Sequence, residues 1–262
     1  MIRRVDILSN LKMCKKLVVE LYTIWKGCGT YFLLEYMACL LLNMKNVIKT
    51  KSLRSVDHNI ETKRDFIGVK RFGYKFKFSS DSLPSIREIF LKNCYGFAPK
   101  KYGVVVDLGT NRGVFSILAA KFSNKVYSVE CNPKEFLSKF QTHLKVNELN
   151  NVILIGKFAS NKDDETNISL NSLLQHYNIE AIDFSKIDIE GGEESLFSSN
   201  IQWLKKVKRL AMEIHPCFGV NWSYITTILK DHGFRVRLFD KDLKKISSFE
   251  PETMGYIWAE RI

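Results

Sequence analysis

VVVDLGTNRGVFSILAA, residues 104–120, decides the reading of this chain. Three valines run into Asp107. Gly109 and Gly113 follow, four apart, and a second apolar run begins at once. A short apolar run that ends in an acid, then a tight turn, then a longer apolar run reads as strand, loop and helix.

Working outward, the same alternation repeats to the C-terminus. Strands are expected at 103–107, 126–130, 152–156, 183–189, 209–214, 234–239 and 255–260, and helices at 113–122, 133–147, 168–176, 193–199 and 222–232. Short apolar runs alternating with helices give an α/β fold with a mostly parallel sheet covered on both faces. The last two strands have only DKDLKKISSFEPETM between them, so they are expected to pair antiparallel. Upstream, FIGVKRFGYKFKF (66–78) alternates about two glycines like a hairpin. SDSLPSIREIFLKNCYGF then opens a helix with Pro84 in its first turn. Residues 1–60 read as helical and basic. The expected division is a helical N-terminal extension, 1–64, and a main domain, 65–262, whose hairpin and helix (65–101) lead into the core at 102–262.

Composition narrows the class. Hydrophobic residues make up 45% of the 262, enough for a sizeable core. The net charge of +12 is lodged in residues 1–103, which carry 20 Lys/Arg against 8 Asp/Glu; the remainder balances at 20 against 20. Such an N-terminal part suits a solvated basic face, a nucleic acid, an acidic substrate or an anionic membrane surface. TYFLLEYMACLLLNM (30–44) is too short, and interrupted by Glu35, to be a transmembrane segment, so any membrane contact is expected to be peripheral. No signal peptide is expected. The six cysteines show no C-x-x-C pair and no zinc spacing, so reduced thiols and a cytoplasmic chain are expected. Nothing in the sequence sets an oligomeric state.

In an open α/β sheet, ligands sit beyond the carboxyl ends of the strands at the topological switch point. A dinucleotide would ask for G-x-G-x-x-G. Here Asn111 stands at the middle glycine and the acid comes first, giving D-x-G-x-x-x-G. That arrangement suits a ligand without phosphates and with an amino-acid end, S-adenosyl-L-methionine. Glu130 closes the next strand, 23 residues on, where a carboxylate grips a ribose diol. Phe158 and Ala159, after the third strand, are candidates for the adenine pocket.

IDFSKIDIEGGEESLF (182–197) carries the second constellation. Lys186, Asp188 and Glu190 share one side of a strand end at period two, and His215 ends the following strand in LAMEIHP. Methyl transfer to a hydroxyl needs an aligned acceptor and a proton acceptor; Asp188, Glu190 or His215 could serve, with Lys186 beside them. Asp188, Glu190 and Glu193 could instead hold Mg²⁺. Plainer roles compete: Glu193 at a helix start, Lys186 neutralising the acids, His215 as a strand-end hydrogen bonder.

On VVDLGTNRGVFSILAA, VYSVECNPKEFLSKFQTHLKVNELNNVIL, SLNSLLQHYNIEAIDFSKIDIEGGEESLF and LAMEIHP, the chain resembles the FkbM family of S-adenosylmethionine-dependent methyltransferases. The likeness runs from about IREIFLKNCYGF to the C-terminus and leaves residues 1–60 uncovered. By position it places Asp107, Gly109, Asn111, Gly113 and Glu130 at the cofactor site, with Thr110, Cys131 and Asn132 beside them. Lys186, Asp188, Glu190, Gly191 and Glu193 fall in the family's late acidic block. Thr110 replaces an Ala, Cys131 a Pro, and Asn171 an Asp. The resemblance implies a Rossmann-like class I methyltransferase fold, a seven-stranded mostly parallel sheet with an antiparallel last strand. It also implies O-methylation of a sugar, glycan or other small hydroxylated molecule. An RNA methyltransferase is the first rival; DIEGG stands where base-methylating enzymes usually carry an Asn/Asp-Pro-Pro-aromatic segment. A non-enzymatic binding module of the same fold is the second.

Overall fold

The computed structural model describes residues 2–131 and 135–262, and side chains from Cys14 onward except Lys16 and Glu135. The chain divides into two compact units, Met1–Lys92 and Asn93–Ile262.

The first unit holds α1 (Ile2–Cys28), α2 (Thr30–Leu42), α3 (Met44–Thr50), α4 (Arg54–Glu61), β1 (Phe66–Arg71), β2 (Tyr74–Ser79) and α5 (Leu83–Ile86), which continues as a wider helical turn through Lys92. β1 and β2 pair antiparallel with Arg71 opposite Tyr74. The two loop residues, Phe72 and Gly73, both have positive φ, the geometry that matches strand twist in a two-residue hairpin. Alternation sets the faces: Ile67, Val69, Phe76 and Phe78 are buried, and Phe90 meets Phe76 and Phe78 edge-on at 5.0 and 5.2 Å. The hairpin and the helix after it, read from the sequence as the lead-in of the main domain, lie within the first unit. β1 packs on α1, and Arg87 pairs with Glu20 of α1 and with Asp57 of α4, the latter at 2.7 Å. Among the described residues, no single helix is long and apolar enough to cross a membrane.

The second unit alternates as expected: β3 (Tyr102–Leu108), α6 (Val114–Ala120), β4 (Ser123–Val129), α7 (Glu135–Val146), β5 (Val152–Ile155), β6 (Phe158–Ser160), β7 (Asn167–Ser169), α8 (Leu170–His176), β8 (Phe184–Ile187), β9 (Arg209–Ile214), α9 (Trp222–Asp231), β10 (Phe234–Asp240), β11 (Lys245–Ile246) and β12 (Gly255–Arg261). The sheet order is β11-β10-β12-β9-β8-β3-β4-β5. From β9 to β5 neighbours are parallel; β12 runs antiparallel between β9 and β10. This is a Rossmann-like α/β sheet with the expected antiparallel last strand. The eighth strand, β11, is a two-residue pairing inside the loop read as DKDLKKISSFEPETM, where Asp240 Oδ1 accepts from the backbone of Asp242 and Lys244. The helix expected at 193–199 is a 3₁₀ turn, Glu193–Phe197.

β3 is the pivot. The strands that follow it in sequence lie on one side (β4, β5), and β8 and β9 on the other. Asp107 lies opposite Ser128 on β4 and Lys186 on β8. The carboxyl ends of β3, β4, β8 and β9 therefore form one rim, as Asp107, Glu130, Asp188 and His215 require. Val106, Leu108, Val129, Ile187, Met212 and Ile257 form the apolar layer beneath it.

Candidate functional site

The first half of the site is built on the turn after β3. Asp107 is fully buried. Its Oδ2 accepts from Thr110 Oγ1 at 2.8 Å and Ser116 Oγ at 2.5 Å, and Ser116 in turn meets Ser128 Oγ at 2.6 Å. Its Oδ1 has no hydrogen bond of good geometry and faces Lys186 Nζ at 3.2 Å. A buried carboxylate needs such partners. Gly109 (φ +71) and Gly113 (φ +79) close the turn. A Cβ at Gly109 would lie 1.7 Å from the Asp188 carbonyl oxygen, and one at Gly113 would lie 2.1 Å from the Phe140 ring. The glycines thus admit β8's loop and α7 as close neighbours.

Glu130 Oε2 accepts from the Asn111 backbone N–H at 2.6 Å, tying the β4 end to the β3 turn. Cys131 Sγ sits 3.4 Å from Glu130 Oε1, and burial followed by that carboxylate pushes its thiol up to about 11. Beside Glu130 opens a cleft of about 70 Å³ lined by Asn111, Glu130, Leu137, Phe140, Leu154 and Gly156. It has polar groups at one edge, Asn111 and Glu130, and apolar walls at the other. Phe158 and Ala159 do not line this cleft. Phe158 is 53% exposed on β6, and Ala159 packs against the core. Leu137, Phe140 and Leu154 make the cleft's apolar wall. Asn132 lies outside the described residues.

The second half stands across β3. Lys186 is buried, and its Nζ donates to the Gly109 carbonyl at 2.5 Å and lies 3.5 Å from Asp188 Oδ2. Burial alone would lower its pKa; the charges of Asp107 and Asp188 outweigh this and hold it well above the usual lysine range. Held between the two carboxylates, Lys186 stands as their counter-ion. Asp188 Oδ2 also accepts from the Tyr95 hydroxyl at 2.9 Å, and that oxygen lies 3.3 Å from Glu213 Oε2. Tyr95, Ser116 and Ser128 are site residues that the sequence reading missed.

His215 follows β9 and is buried. Its Nδ1 lies 2.9 Å from Glu193 Oε1, and Phe218 stacks on its ring at 5.5 Å. Glu193 is fully buried; Oε1 also accepts from the Gly191 backbone, while Oε2 has no partner. Burial by itself would lower the His215 pKa. The hydrogen bond and charge of Glu193, with Glu213 and Asp188, outweigh it and raise the imidazole to about 8. Nε2 looks toward Glu190 Oε2, 3.8 Å away; Glu190 is 77% exposed in its side chain and sits at φ +54. Asp188, Glu190 and His215 each bring a donor atom within 4.8 Å of the others. That oxygen–nitrogen set could hold a divalent cation. The set the sequence suggested, Asp188, Glu190 and Glu193, differs at one member: Glu193 is turned behind His215 instead.

The family model of the methyltransferase FkbM domain matches residues 156–236, a segment containing Lys186 through His215. Uncharacterized protein MJ1452 of Methanocaldococcus jannaschii is 40% identical over 57 residues, 22% of this chain and 22% of that protein. The match thus spans about a fifth of that relative's length. Among solved structures, SMU.1697c from Streptococcus mutans in complex with SAH is 14% identical, with 65% of this chain and 94% of that chain covered and a TM-score of 0.47. An rRNA methylase from Streptococcus thermophilus is 17% identical, with 62% and 89% covered and a TM-score of 0.43. What these comparisons establish for this chain is a likeness of residues 156–236 to the methyltransferase FkbM domain.

Proposed function

We propose, from the premise of that likeness, that this chain methylates a hydroxyl oxygen of a sugar, glycan or other small hydroxylated molecule. The observation that carries the reading is the buried Glu193–His215 pair at the rim. A carboxylate on Nδ1 fixes the ring and leaves Nε2 to take a proton from an acceptor hydroxyl.

S-adenosylmethionine supplies an electrophilic methyl group when bound. The residues that would hold it are Glu130 for the ribose diol, the apolar wall of Leu137, Phe140 and Leu154 for the base, and the Asp107–Gly113 turn for the amino-acid end. What the chain itself contributes is orientation and proton transfer. Asp188 and Glu190 can align a hydroxylated acceptor by accepting hydrogen bonds. His215, in its neutral form, can remove the acceptor proton from the same side. Lys186 keeps Asp107 and Asp188 charged and in place.

The test is transfer of labelled methyl from S-adenosylmethionine to two panels, free sugars and glycosides in one and transfer and ribosomal RNA in the other. Label in the sugar panel, lost in His215→Gln while SAH still binds by calorimetry, supports the reading. Label only in RNA replaces it with the nucleic-acid alternative. Folded protein that binds no SAH overturns it.

A further inference from the structure

We infer that the first unit docks on an anionic lipid surface through the exposed face of α1, α2 and α3. Of the sixteen exposed large hydrophobic residues among those described, ten lie between residues 18 and 48. That concentration is what a solvated helical extension does not need. Soluble chains scatter such residues singly, and contiguous apolar patches mark contact surfaces.

α2 is apolar on both faces. Phe32, Tyr36, Cys39 and Leu40 are buried against the unit. Tyr31, Leu34 and Leu41, at i, i+3 and i+10, are 78%, 61% and 68% exposed. A helix apolar all round has a second face to cover. On α1, Val18, Tyr22 and Trp25 repeat at i, i+4 and i+7 and are exposed. Lys26 Nζ lies over the Tyr22 and Trp25 rings at 5.7 and 5.0 Å. α3 leaves α2 at 72°. It exposes Ile48 between Lys45 and Lys49, with Lys51 just beyond.

Charge selects the occupant. Residues 1–92 carry 18 Lys/Arg against 8 Asp/Glu. A second copy would bring the same sign and be repelled, whereas an anionic lipid surface complements it. Trp and Tyr beside Lys is the composition of side chains that sit at headgroup level with the amine reaching to water. Length selects the mode. α2 and α3 together have the length and composition of a span but bend by 72° between them; the 13 residues of α2 alone reach about 20 Å at 1.5 Å per residue, short of the ~30 Å hydrocarbon core, so the face is assigned to the interface.

The test is co-sedimentation of the full chain with phosphatidylcholine vesicles, with and without phosphatidylserine. Binding is expected to the anionic vesicles, to weaken with salt, and to be lost in Leu34→Asp/Leu41→Asp. Lys45→Glu/Lys49→Glu/Lys51→Glu is expected to weaken it on the order of 10²-fold, with SAH binding unchanged and circular dichroism showing both variants folded. The inference is overturned if folded wild type ignores anionic vesicles. It is also overturned if wild type binds both vesicle types alike and is indifferent to the lysine reversals. Self-association abolished by Leu34→Asp/Leu41→Asp, without vesicle binding, would overturn it in favour of an interface between copies.

Discussion

Glu193 Oε1 and His215 Nδ1 lie 2.9 Å apart with both side chains buried, joining the 3₁₀ turn after β8 to the end of β9. The pair fixes the ring and its charge state together. Replacing His215 with Gln is expected to lower kcat by about 10²- to 10⁴-fold, the usual worth of a general base, with little change in SAH affinity. Glu193→Gln keeps a hydrogen-bonding oxygen but removes the charge. It is expected to cut kcat by roughly tenfold or more and to move the pH–rate profile down toward the ordinary histidine value. A kcat loss with an unmoved pH profile would assign Glu193 to packing alone.

The same pair sets opposite pH trends for activity and stability. The folded-state value of His215 is raised from 6.5 to about 8. The stability linked to it is therefore fully present below about pH 6.5 and is lost as pH rises through about 8. The loss is at most about 2 kcal/mol, read by urea denaturation across that window. Activity should run the other way, because the neutral ring is the base: kcat should climb toward pH 8 and level off. A stability loss in wild type that is absent in His215→Gln ties both trends to this residue.

Lys186 and Asp107 form a buried pair beneath the site, 3.2 Å apart. Lys186→Met leaves a buried carboxylate without its cation and is expected to destabilise the chain by about 3–5 kcal/mol. Adding Asp107→Leu should restore much of that stability, because removing both charges removes the desolvation cost, but not SAH binding. At Gly109 the neighbour is backbone and φ is +71, so Gly109→Ala has no side chain to push aside and is expected to fail to accumulate as folded protein.

Much of this was legible in the sequence because it is local. The strand–acid–glycine run placed Asp107 at the switch point, and period two at the end of β8 put Lys186 and Asp188 on one side. What was missed depends on contacts far apart in sequence. Tyr95 reaches Asp188 across 93 residues from the end of a stretch read only as a lead-in helix. The hairpin's faces follow from alternation, but its allegiance to α1 does not, because alternation says which side is apolar and not what covers it. Phe158 shows the same limit: an aromatic after the third strand reads as a pocket wall, and only the fold shows that it stands 53% exposed on β6. Glu193 was read as a possible Mg²⁺ ligand beside Asp188 and Glu190 or as a helix-start acid; only the fold shows it against His215 Nδ1.

Asp188, Glu190 and His215 make the last prediction, since two chemistries can use them. With donor atoms within 4.8 Å of one another, they suit a divalent cation, yet Asp188 already accepts from Tyr95 and lies near Lys186. Those neighbours weaken it as a ligand, so methyl transfer is expected to survive EDTA at full kcat. Glu190→Gln, on a largely exposed side chain, is expected to raise KM for the acceptor a few-fold with kcat little changed, because it only orients the substrate. Activity abolished by EDTA and restored by Mg²⁺ or Mn²⁺, with Glu190→Gln raising the metal concentration required, would instead make the three residues a metal site. His215 would then be a ligand and not the base, and its pH–rate profile would follow metal occupancy.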